Sequence, residues 1–148
     1  MRAPPGTRAD YVHFRQHTTR WSDNDVYGHL NNVIHYLMFD STVNEWLIRN
    51  GLLDTKNSPA IGLVAETGCR YHGEMSYPQV ITAGLRVAKL GSSSVRYDIG
   101  LFADDSDIAA AEGFFVHVYV DAATHRPCPI PVETRTALQG LVKEASCP

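Results

Sequence analysis

Val33-Ile34-His35-Tyr36-Leu37-Met38-Phe39 is the longest apolar run in the sequence, and its periodicity decides how the rest of the chain is read. Tyr36, Phe39, Val43 and Trp46 or Leu47 recur at three- and four-residue steps, the spacing of one face of an α-helix, and Gly51 stands where a left-handed C-terminal cap belongs. The pattern predicts a helix of roughly 18 residues, apolar around most of its circumference at its start. Such a helix has to be covered on several sides, and the flanking chain supplies strands. Tyr11 to Trp21 is rich in Thr, His, Val and Phe and free of Gly and Pro. Further strands are expected over 60–72, 79–90, 93–103 and 108–121, with alternation clearest in Val95-Tyr97-Ile99-Leu101 and Phe114-Val116-Val118-Val120. Leu90-Gly-Ser-Ser and Asp104-Asp-Ser-Asp107 mark turns. The Pro-rich stretch Arg126 to Pro131 is expected to block further pairing, and Val132, Thr136, Leu138 and Leu141 suggest a short terminal helix. The order strand, long helix, four strands predicts an α+β fold in which an antiparallel five-stranded sheet wraps around one central helix.

The 148 residues are expected to form one domain spanning 1–148, with about 1–10 and 144–148 flexible. A 44% hydrophobic, 20% charged composition suits an ordinary globular core that needs no disulfide or metal. Cys69, Cys128 and Cys147 are odd in number and lack a C-x-x-C pair, so free thiols in a reducing compartment are expected. Thirteen basic against sixteen acidic residues, with no Lys/Arg track, argue against nucleic-acid binding. With no apolar leader region and no long apolar stretch, a cytoplasmic protein without a membrane partner is expected.

The densest polar cluster lies between the first strand and the helix: Arg20-Trp-Ser-Asp23-Asn-Asp25-Val-Tyr27-Gly28-His29-Leu-Asn31-Asn32. A carboxylate just upstream of a helix has unpaired backbone N–H groups and the positive end of the helix dipole beside it. Acyl transfer needs both parts, a group that attacks a carbonyl or activates water and donors that hold the oxyanion. Structural readings stand beside this one. Asp23 and Asp25 suit an Asx-turn, and Asn31 or Asn32 suits a helix N-cap. A calcium loop starting at Asp23 fails, because its twelfth position is Ile34 where a Glu is required.

The run Arg-Trp-x-Asp-x-Asp-x-Tyr-Gly-His-x-Asn-Asn, followed by an apolar helix carrying Tyr36 and Phe39, resembles the signature of hotdog-fold acyl-CoA thioesterases of the 4-hydroxybenzoyl-CoA thioesterase type. Arg70-Tyr-His-Gly-Glu-Met-Ser-Tyr-Pro, Val80 to Val87 and Leu90-Gly-Ser-Ser-Ser-Val95 extend the likeness over roughly residues 12–121. The resemblance implies a hotdog fold, a homodimer or homotetramer with active sites at the dimer interface, and an acyl-CoA substrate. Coenzyme A is then part of the substrate and no cofactor or metal is expected. It places the catalytic role on Asp25, leaves Asp23 structural, and puts an oxyanion donor at the backbone N–H of Asn32, near Val33. Tyr27, Gly28, Val33 and Tyr36 are assigned to substrate binding with Lys89 and Ser92, and Ser93 and Arg70 are further candidates for phosphate contacts. The short basic content around Lys89 departs from relatives that act on aromatic acyl groups, so the acyl group stays open.

His29 lies between the carboxylate and the helix start, where it either acts with Asp25 or holds backbone groups. Glu45 is expected to be a solvated or interface residue, Cys69 a buried strand thiol without a catalytic partner, and His29 and His35 too far out of helical phase to share a metal. Two rival functions remain: a dehydratase or isomerase in which Asp25 and His29 shuttle protons on an acyl thioester, and a non-catalytic acyl-CoA binding module.

Overall fold

Asn31 closes the first turn of the long helix, its side-chain Oδ1 accepting the Val33 N–H at 3.0 Å. The structure, a computed structural model, describes residues 3–54 and 56–144. This helix, α1, spans Asn32–Arg49, and Gly51 follows it at φ +68°, the left-handed conformation its position predicted. Five strands, β1 (His13–Thr18), β2 (Ala60–Tyr71), β3 (Val80–Leu90), β4 (Ser94–Ala103) and β5 (Ala111–Asp121), form one antiparallel sheet in the order β1-β3-β4-β5-β2. A second helix, α2 (Val132–Gln139), ends the described fold; of two short 3₁₀ turns, Arg8–Asp10 precedes β1 and Trp21–Asp23 begins at the end of the predicted first strand.

The sheet curls around α1, and the core lies between them. Phe39 and Val43 are fully buried against Leu85, Tyr97, Ile99 and Leu101. Burying each such side chain contributes about 1.5–3 kcal/mol. The approach is close: a Cβ on Gly113 of β5 would stand 2.3 Å from Cε2 of Phe39, so the strand carries no side chain beneath the ring.

The structure decides the buried face of β5 and corrects two expectations. In β5 the apolar alternation Phe114-Val116-Val118 marks the half-buried outer face, whereas Ala111, Gly113, Phe115, His117 and Tyr119 face the helix and are buried. Apolar character alone misplaces the face because the outer face is also partly covered, with the Arg96 guanidinium 4.1 Å from the Phe114 ring. Residues 6–10 do not fray. The Gly6 N–H donates to Glu112 at 2.9 Å, Ala109 N–H to Gly6 C=O at 3.0 Å, and Arg86 reaches the Asp10 carbonyl at 3.0 Å, which straps the segment over the outer face. At the other end, Lys143 N–H donates to Val87 C=O, and residues 145–148 lie outside the described residues. The Pro-rich stretch does pair: Cys128 N–H donates to Tyr119 C=O at 3.0 Å and Ile130 N–H to Ser92 C=O at 2.9 Å, because non-proline residues alternate with the prolines.

One side of α1 stays open. Val33, Leu37 and Ile48 are half exposed or more, and the edge strand β2 also shows Leu63 and Val64 to solvent. No helix among the described residues is long and apolar enough to cross a membrane.

Candidate active site

The loop between β1 and α1 is built around two aspartates with different surroundings. Asp23 is buried and fully engaged. Its Oδ2 accepts the Arg20 N–H at 2.8 Å, its Oδ1 accepts Arg20 Nη2 at 2.9 Å, and its carbonyl accepts the Asn31 N–H at 2.9 Å. It therefore locks the loop to the helix start, and both its carboxylate oxygens are engaged by Arg20. Asp25 heads a tight turn: its N–H donates to His29 C=O at 2.7 Å and its C=O accepts the Gly28 N–H at 3.1 Å, with Gly28 at φ +82°. The side chain completes the Asx-turn, Oδ1 accepting the N–H of Tyr27 at 2.8 Å and of His29 at 3.3 Å. Its Oδ2 has no partner among the described residues. The structural and the chemical readings thus fall on separate oxygens of one carboxylate.

Asp25 opens onto a cleft of about 430 Å³ at the N-terminus of α1, shared with His29, Asn32, His35, Tyr71 and Glu74. The Val33 N–H is occupied by Asn31, whereas the Asn32 N–H has no partner among the described residues. Of the two donors named from sequence, the unoccupied one is therefore the Asn32 N–H. The His29 Nε2 lies 3.0 Å from Glu74 Oε2 across the cleft. His35 is 5% exposed, its Nδ1 3.2 Å from the Asn31 carbonyl and its ring edge-on to Tyr71 at 4.9 Å between centroids. Burial lowers the His35 pKa below the ordinary histidine value, the hydrogen bond to Asn31 opposing in part, so the ring is neutral near pH 7. Burial, with Cys69 and Tyr36 nearby adding, pushes the Tyr71 hydroxyl up to about 12.

The cleft brings together Asp25, His29 and Asn32 of the residues named from sequence. Tyr27 and Val33 are not among the cleft-lining residues and are 81% and 66% exposed, and Tyr36 packs edge-on against Phe39 at 5.7 Å. Lys89 and Ser92 lie elsewhere: Thr18 pairs with Val80, so the Asp25 loop sits near the start of β3, and Lys89 is roughly 30 Å along that strand at 3.4 Å per residue. Arg70 shares its register position and face with Glu112 and opens into a second hollow of about 680 Å³ on the outer face of the sheet. Sequence reading missed His35, Tyr71 and Glu74 as cleft residues. Tyr71 and Glu74 lay inside the second quoted motif, but nothing in their spacing told that this strand end returns to the helix start.

A family model for the thioesterase-like superfamily matches residues 19–138, and the chain belongs to that family: it is a thioester hydrolase of the hotdog fold. The PA5185 protein of Pseudomonas aeruginosa is similar over 97% of this chain and 100% of its own, at 47% identity and a TM-score of 0.92. A predicted thioesterase from Bacillus stearothermophilus shares the fold at 24% identity and a TM-score of 0.79, over 90% of this chain and 98% of its own. The 1,4-dihydroxy-2-naphthoyl-CoA thioesterase of Synechocystis does so at 14% identity and a TM-score of 0.77, over 85% and 94%. Among curated proteins, none matches this chain.

Proposed function

We propose that the chain hydrolyses an acyl-CoA to a free acid and coenzyme A, with Asp25 as the catalytic carboxylate and the Asn32 N–H as oxyanion donor. The observation that carries this reading is the pairing, in one cleft, of an Asp25 Oδ2 and an Asn32 N–H that both lack partners among the described residues. Oδ2 either attacks the thioester carbonyl carbon or takes a proton from the attacking water. The negative charge that develops on the carbonyl oxygen is met by the Asn32 N–H and the positive end of the α1 dipole, and one such donor is typically worth about 3 kcal/mol in the transition state. The coenzyme A thioester named for the Synechocystis relative is the substrate class carried over here.

The reading includes a second copy of the chain. An edge strand with one side unpaired that shows Leu63 and Val64, together with the exposed Val33 and Leu37 of α1, is apolar surface that a solitary protomer leaves wet. Pairing β2 with its counterpart covers this margin, and a partner is also the means by which a Lys89 and Ser92 hairpin reaches an Asp25 cleft.

Thiol release from a panel of short, medium, long and aromatic acyl-CoAs, by wild type and Asp25→Asn side by side, tests the assignment. Loss of two or more orders of magnitude in a folded variant supports it. No thiol from any substrate, or full activity in the variant, overturns it. Light scattering on the wild type reads the oligomer, and a monomer at micromolar concentration removes the partner from the proposal.

A further inference from the structure

His35 has the properties of a base that Asp25 chemistry leaves unfilled. Its Nδ1 faces the Asn31 carbonyl at 3.2 Å, and a carbonyl accepts only, so Nδ1 carries the proton and Nε2 carries the lone pair. Nε2 has no hydrogen bond among the described residues, the side chain is nine-tenths buried, and the ring lines the cleft that holds Asp25 and the Asn32 N–H. The edge-on contact with Tyr71 fixes the ring plane. Asp25, His29 and Glu74 line the same cleft, and Tyr71, itself near Cys69 and Tyr36, packs edge-on against the ring. Glu74 is engaged with His29, which leaves His35 as the neutral imidazole in this cleft without a carboxylate partner.

We infer that His35 is the general base for the water that ends the reaction, and that Asp25 is accordingly the nucleophile that begins it. The inference rests on the proposed role of Asp25. In the first step Asp25 Oδ2 bonds to the acyl carbon, the carbon–sulfur bond breaks, and coenzyme A leaves as a thiolate that takes a proton from solvent. The product on the protein is a mixed anhydride. In the second step a water oxygen bonds to the acyl carbon, its proton passes to His35 Nε2, and the bond to Oδ2 breaks to return the Asp25 carboxylate. His35 then gives its proton to solvent. Burial supports the assignment by keeping the ring neutral at working pH.

Rapid-quench kinetics on an acyl-CoA that the wild type hydrolyses separates the steps. His35→Gln is expected to release about one equivalent of thiol per site in a burst and then to turn over on the order of 100-fold more slowly than wild type, with hydroxylamine restoring turnover by replacing water. Asp25→Asn is expected to show neither burst nor turnover; wild-type thiol release by that variant overturns the Asp25 reading itself, whereas the His35 results bear on the second step. A His35→Gln protein that keeps wild-type steady-state turnover, or that loses thiol and acid release together without a burst, overturns the role. His35→Asn repeats the test, and the wild type supplies one that needs no variant: kcat falls on the acid side through an ionisation below the ordinary histidine value of 6.5, while the rate of the first thiol release does not follow that limb. Absence of that limb, or its presence on both steps, also overturns the inference.

Discussion

Asp25 Oδ1 accepts the backbone N–H of Tyr27 at 2.8 Å, so the carboxylate assigned to the chemistry also holds the loop that carries it. The two duties separate by substitution. Asparagine keeps an Oδ1 that accepts the same N–H groups, so Asp25→Asn is expected to unfold within about 0.5 kcal/mol of wild type while losing hydrolysis. Asp25→Ala removes the acceptor as well and is expected to cost about 1 kcal/mol more. Urea denaturation of the two variants checks this, and equal stabilities would show that the Asx-turn contributes nothing measurable.

Asn31 caps α1 through the Val33 N–H at 3.0 Å. Asn31→Ala is expected to destabilise the fold by about 1 kcal/mol, in line with other N-cap losses. Because the Asn32 N–H and not the Val33 N–H is the assigned donor, kcat is expected to change by less than about tenfold, far below the 10²–10³ typical of a lost oxyanion donor. A kinetic loss of that larger size would move the donor to Val33 or its cap.

Phe39 lies so close over Gly113 that a Cβ there would stand 2.3 Å from the ring. Gly113→Ala is expected to lose about 1–3 kcal/mol through overpacking, lowering Tm by about 2–4 °C per kcal/mol. Phe39→Leu should relieve part of that loss in the double variant, and strict additivity in a thermal double-mutant cycle would argue against the contact.

His17 sits against Arg15, whose Nη1 is 2.6 Å from its Nδ1, and its Nε2 is 2.9 Å from Thr42 Oγ1. Burial first, and the Arg15 charge second, lower its pKa from 6.5 to about 4, Glu45 opposing. Between pH 6.5 and 4 the unfolded chain therefore binds more protons than the folded one, so stability is full above 6.5 and falls as pH drops toward 4. Discounted for the ring's partial exposure, the loss from this residue is roughly 1–2 kcal/mol. His35 and His117, both lowered by burial, act in the same direction. Urea midpoints at pH 7.5 and 4.5 should differ less in His17→Gln than in wild type.

The element order was legible because it rests on local pattern. The three- and four-residue apolar steps and Gly51 placed α1 and its end, and period-two alternation placed β4, whose alternating Val95, Tyr97, Ile99 and Leu101 are all buried. In β5 the alternation is present too, but the apolar residues Phe114, Val116 and Val118 lie on the half-buried face while Phe115, His117 and Tyr119 are the buried ones, which apolar character alone does not tell. The loop motif marked Asp25, His29 and Asn32, since their chemistry follows from a few consecutive residues ahead of a helix. It carried no sign of Glu74, Tyr71 or the inward turn of His35, which enter the cleft from a strand end some forty residues away and from the next helical turn.

By itself the sequence determined a helix, five strands and a polar loop at the helix start, because hydrophobic period, turn chemistry and capping act over a few residues. The tertiary structure alone decided which oxygen of Asp25 is left open, which of two helix-start N–H groups is unoccupied, and that Lys89 stands roughly 30 Å along β3 from the Asp25 loop. Those outcomes depend on hydrogen-bond geometry and strand register, which are set by contacts between residues distant in the chain and leave no period in it.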